Sequence, residues 1–84
     1  MPLFMDVHDS LPEGASAGDI AQAHAADLRI QDRYGVKYDK YWVDLRAGKF
    51  FCLVEAPTAE AANRVHREAH GLVADQLYEV QESS

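Results

Sequence analysis

The sequence predicts a ferredoxin-like α+β sandwich, a prediction that rests on two kinds of periodicity and on their order. Four short segments carry strand patterns, two carry helical spacing, and they follow one another as β-α-β-β-α-β. That order suits two helices covering one face of an antiparallel sheet with strand order 4-1-3-2. The 84 residues, 48% of them apolar, suffice for one core, so 1–84 is expected to form a single domain ordered over about 2–81.

The first strand is "LFMDVH", residues 3–8, where Leu3, Met5 and Val7 alternate with Phe4, Asp6 and His8. A loop rich in Ser, Gly and Pro follows. Ser16 with Asp19 three residues later marks a capping-box start for a helix from about Ala17 to Arg33. Ile20, Ala21, His24, Ala25 and Leu28 fall at helical spacing, with Gly35 as a left-handed stop. "VKYDKYWVDL" (36–45), the turn "RAGK" and "FFCLVEA" (50–56) read as a hairpin. Pro57 ends that strand and Thr58 caps a second helix. Ala61, Ala62, Val65, Ala69 and Leu72 mark the apolar side of this helix, with His66 and His70 flanking it. "QLYEVQ" (76–81) supplies the last strand, and "ESS" is a tail expected to fray. Aromatic residues fall on both faces of these strands, more than one thin core can hold. A homodimer that closes the bare sheet face is the expected remedy.

Composition narrows the function. Eight Lys and Arg against fourteen Asp and Glu give a formal charge of −6, which repels phosphate backbones and favours cations, so nucleic acid is not an expected partner. No apolar run approaches the ~20 residues needed to cross a bilayer, and "MPLFMDVHD" has no secretory signal pattern. A soluble, cytoplasmic protein with no membrane partner is expected. The lone Cys52 has no intramolecular partner, so no disulfide framework is expected.

Four histidines in so short a chain raise the question of a metal. His66 and His70, four apart on a helix, have Cβ atoms about 6 Å apart, a distance two metal-bound imidazoles can span. Asp6 and His8 share a strand face and form a possible two-ligand fragment, at a strand end where His8 and His70 could approach each other. His24 reads more simply as a semi-buried histidine whose N–H Asp27 accepts. Cys52 reads as a small hydrophobe unless metal or histidine lies beside it.

The segments "PLFMDVHDSLP", "AHAAD", "YWVD", "FCLVEAP" and "VHREAHGLVADQLYEV", agreeing in order over residues 2–80, resemble a family of small actinobacterial nickel-binding proteins once catalogued as a domain of unknown function. The resemblance implies a ferredoxin-like homodimer with Ni(II) at surface sites and a role as a cytoplasmic nickel sink, not as a catalyst. Residues matching its motifs and able to ligate are His8, His24, His66 and His70, with Asp6, Cys52 and Glu55 as further candidates. Imidazole and carboxylate suit Ni(II), but they also bind Cu(II) more tightly and Zn(II) comparably.

A second reading is a small dimeric α/β-barrel-like enzyme, of monooxygenase or isomerase type, with Asp6, His8, His24, Tyr41 and Trp42 lining an aromatic pocket. A third makes the histidines incidental to a dimeric stress-associated domain. A sink should expose its ligands and lack a deep cavity, whereas an enzyme should gather them inside one.

Overall fold

The computed structural model describes residues 1–83. It contains β1 (Leu3–His8), α1 (Ala17–Ile30), a 3₁₀ turn (Gln31–Tyr34), β2 (Lys37–Asp44), β3 (Lys49–Glu55), α2 (Ala59–Ala69) and β4 (Gln76–Val80). The strands form one antiparallel sheet in the order β2-β3-β1-β4, which is the ferredoxin-like arrangement. The limits of β1 are those expected from the sequence, and those of the other strands differ by one residue at one or both ends. Glu82 and Ser83 of the expected fraying tail have no regular structure, and Ser84 lies outside the described residues. Among the described residues no helix is long and apolar enough to cross a membrane.

Both helix starts form as their residues dictate. Ser16 and Asp19 bond each other's backbone N–H in a reciprocal capping box, and the Thr58 hydroxyl accepts from Ala61 N–H. The α1 end does not extend to Arg33. The α-helix stops at Ile30 and tightens into the 3₁₀ turn, which Gly35 terminates with φ +65°. The buried stripe of α1 also differs in phase from the expected one. Ile20 and Asp27 face inward, whereas Ala21, Ala25 and Leu28 are exposed.

The core lies between the helices and one sheet face: Phe4, Ile20, Val36, Tyr38, Phe50, Cys52, Val54, Ala56, Ala62 and Val65 are buried. In β2 the register shifts between Tyr38 and Lys40, so that Tyr38 pairs with Val54 and Lys40 with Leu53, with Asp39 as the extra residue. This bulge interrupts the alternation. Tyr38 and Tyr41 both join the helix-covered side, against Val54 and Cys52, while Trp42 pairs with Phe51 and stays largely exposed. Leu3, Met5, Leu53, Trp42 and Val80 line a shallow apolar groove of about 300 Å³ on the other face, where Tyr78 is also exposed.

Candidate metal centre

Four elements bring ligand-type side chains to one point in the core. Period two on β1 sends Phe4, Asp6 and His8 to the covered face, and β3 places Cys52 directly opposite Asp6. The inner face of α2 carries Ala62, Val65 and His66, and α1 contributes Asp27 one helical repeat after Ile20. Small Ala62 at the contact leaves room for the His66 ring between the helices and the sheet. His66 was expected to flank the apolar side of its helix at a surface site. It is instead 1% exposed, with Asp6, Asp27 and His8 buried beside it.

His66 stays there because both ring nitrogens have partners. Its Nε2 lies 2.8 Å from Asp6 Oδ2 and its Nδ1 2.9 Å from Asp27 Oδ1. An imidazole donates from both nitrogens only as the cation. Burial by itself would lower the His66 pKa, but the hydrogen bonds and charges of Asp27 and Asp6 outweigh it and push the value up to about 9. The same balance operates in reverse on the carboxylates. Burial would raise Asp6 and Asp27, yet their hydrogen bonds to His66 and the nearby imidazoles of His8 and His70 hold both below the ordinary carboxylate range. The Tyr38 hydroxyl donates to the carbonyl of Ala62 at 3.0 Å and lies 3.3 Å from Asp6 Oδ2, and burial beside the carboxylates keeps it protonated. Burial and Asp6 likewise push the Cys52 thiol far up.

The chain of contacts continues on each side of His66. His8 Nε2 is 3.2 Å from Asp6 Oδ1, with the His8 ring stacked on Phe50 at 3.8 Å, and His70 Nε2 is 3.0 Å from Asp27 Oδ1. These two contacts are close without being aligned as hydrogen bonds. Among the described residues, Asp6 Oδ1, His8 Nε2, His24 Nδ1 and His70 Nε2 are buried side-chain atoms with no hydrogen-bond partner, and only Asn63 Oδ1 joins them. Buried polar atoms are rarely left unpaired. Here the unpaired ones are almost all of a kind that ligates metal. Asp6, His8, Cys52 and His66 each offer a ligand atom within 4.8 Å of the others, as do Asp27, His66 and His70.

The structure thus gathers Asp6, His8, Cys52 and His66 into one group, and links His66 and His70 into a second through Asp27. His8 and His70 do not approach each other directly; they stand on opposite flanks of His66, at ring separations of 5.1 and 4.9 Å from it. His24 belongs to neither group. It packs against Tyr41, and Asp27, expected to accept its N–H, serves His66 and His70 instead. Burial lowers the His24 pKa, against the pull of Asp27. Glu55 lies apart, 4.0 Å from Lys37 at the far end of β3, because its odd position points it away from the helices. Asp27 and Tyr38 were not anticipated as site residues. The signal for Asp27 is its place seven residues after Ile20, one position before Leu28 on the expected stripe.

Residues 4–80 match the family described as nickel responsive protein SCO4226-like. Among solved structures, the crystal structure of SCO4226 from Streptomyces coelicolor A3(2) superposes with a TM-score of 0.88 at 40% sequence identity, covering 98% of this chain and 99% of that one. No match is found among curated proteins.

Proposed function

Since the chain belongs to the SCO4226-like family of nickel responsive proteins, we propose that it binds Ni(II) within its core. We further propose that it serves as a nickel sink in the cytoplasm, as a homodimer and without catalysis. One observation carries the site: Asp6 Oδ1 and His8 Nε2 are buried, 3.2 Å apart, and unaligned with any hydrogen-bond partner. Lone pairs left so in a core suit a shared cation. Adjacent ligands at about 2.1 Å from one metal stand roughly 3 Å apart, the spacing found here.

The ligands would be Asp6, His8, Cys52 and His66 through Nε2. Asp27 then accepts the remaining N–H of His66, the carboxylate–histidine support that fixes a ligating ring. His66 gives up its Nε2 proton and Cys52 its thiol proton on binding. Two imidazoles, a carboxylate and a thiolate suit Ni(II), although Cu(II) would bind more tightly and Zn(II) comparably. Ligands in the core depart from the exposed sites expected of a sink, and their burial favours slow release of a bound ion.

Calorimetric titration of metal-free protein with Ni(II), Zn(II) and Cu(II) tests this reading. One strong equivalent of Ni(II) per subunit should disappear in Asp6→Asn and in His8→Ala. Titrations that look the same in wild type and both variants would sink the core site.

The enzyme reading keeps one observation in its favour. The ligands converge inside, as that reading required, and His8 also lines an open pocket of about 320 Å³ with Ser10, Leu11, Phe50, Leu72 and Val73. Against it, the cavity beside His66, His70 and Asp27 has only about 10 Å³, too small for a substrate. Saturable shifts of the Phe50 and Val73 resonances with small aromatic ligands would revive it.

A further inference from the structure

We propose that His66 is a bridging ligand, holding one metal ion at each ring nitrogen, so that the core accepts a second ion beside the first. This inference rests on the metal-binding reading above and extends it to the opposite side of the same ring.

The two ligand groups share His66 and nothing else. Its Nε2 faces Asp6, which belongs to the group with His8 and Cys52, while its Nδ1 faces Asp27 and, beyond it, His70. The two sides are alike in distance, although Asp6 uses one oxygen for each histidine and Asp27 uses Oδ1 for both. On one, Asp6 stands between His66 and His8 at 2.8 and 3.2 Å; on the other, Asp27 stands between His66 and His70 at 2.9 and 3.0 Å. Each side also holds a buried imidazole Nε2 lacking a hydrogen-bond partner, that of His8 or that of His70. A cavity of about 10 Å³ is bordered by His24, Asp27, His66 and His70 and reaches Cys52 of the first group, enough for roughly one small occupant. His24 Nδ1, also buried and unpartnered, borders the same cavity. Ions bound at about 2.1 Å from each nitrogen would sit roughly 6 Å apart, each on its own carboxylate.

The two ions are not equivalent. The first would displace the Nε2 proton of His66 to solvent and leave the Nδ1–H bond to Asp27 intact. The second removes that Nδ1 proton as well, so both ring protons leave to solvent and the ring becomes an imidazolate. It must also free His70. Leu72 N–H donates to His70 Nδ1 at 3.0 Å, which leaves the other ring proton on Nε2, the atom that would ligate. Ligation therefore breaks the part-buried Leu72 bond, and the second ion binds more weakly than the first.

Cu(II) serves as the spin probe. Metal-free protein is titrated and the electron paramagnetic resonance signal is integrated at each addition, with folding followed by circular dichroism. The signal should rise to one equivalent and then fall as the second ion couples to the first through the imidazolate, while Leu72 N–H loses protection from exchange. In His70→Ala the second equivalent should be lost and the first should keep its full, uncoupled signal. A signal that stops at one equivalent overturns the bridge and leaves the single site standing. One that climbs linearly to two also overturns it, by showing isolated ions. If Asp6→Asn and His8→Ala leave the whole titration unchanged, the bridge and the core site fall together.

Discussion

At the scale of single residues, the metal-free protein stands on a cation held between two carboxylates in its core. His66, Asp6 and Asp27 are each at or below 1% exposed, and removing one partner of such a pair leaves an uncompensated buried charge. Asp27→Asn should therefore lower the unfolding free energy of metal-free protein by about 3–5 kcal/mol, read from urea midpoints at constant slope. The same residues set the pH dependence. The His66 pKa is raised from 6.5 to about 9, so its contribution is complete below pH 6.5 and is lost as pH climbs through about 9. Asp6 and Asp27 are lowered from 3.8, so theirs is complete above that value and is lost as pH falls below it. Thermal midpoints of metal-free protein should form a plateau between about pH 4 and 6.5 and decline towards pH 9. A midpoint that keeps rising through pH 8 would show that His66 is neutral in the fold. Asp6 and His8 were readable as a pair from strand period alone. The role of Asp27 was not, because an acidic residue on a helix stripe ordinarily marks the solvent side.

Among the elements, α2 positions the most chemistry with the least support. Its eleven residues carry His66, and its first turn depends on the Thr58 hydroxyl accepting from Ala61 N–H. Thr58→Ala should cost about 1 kcal/mol in unfolding experiments and weaken the proposed Ni(II) binding only slightly, because the cap lies two turns from His66. A large loss of affinity would mean that the helix frays as far as the site. The β2 bulge at Asp39 is the second element-level device, bringing Tyr38 under Ala62 and Asp6. Tyr38→Phe should destabilise the fold by about 1–2 kcal/mol, since the Ala62 carbonyl keeps its helix surroundings but loses a buried donor. Caps, turns and strand periods were legible from sequence because each is settled within four residues. The bulge was not, since a strictly alternating reading of "YDKYWV" places Tyr38 and Trp42 on one face.

For the whole molecule, the uncovered sheet face is the feature left to explain. Met5, cross-strand neighbour of Leu53 and Tyr78, and Trp42, beside Phe51, form a continuous apolar surface. The proposed homodimer would bury it. Trp42→Glu should then shift sedimentation towards a monomer while leaving the circular dichroism spectrum in place, and a wild-type protein that sediments as a monomer at micromolar concentration would remove the dimer from the proposal.

By itself the sequence determined the element order, both helix caps, the Gly35 stop and hence the ferredoxin-like fold, together with the set of histidines from which a metal site could be built. Those features are local, written in spacings of two to four residues. Tertiary structure decided which of the candidates meet. Asp6 and Cys52 are 46 positions apart in the chain and stand opposite each other because β1 pairs with β3 in one register. His66 lies inside because carboxylates from β1 and α1 reach both of its nitrogens. Burial of a charge depends on partners supplied from elsewhere in the fold, which the periodicity of its own helix does not encode.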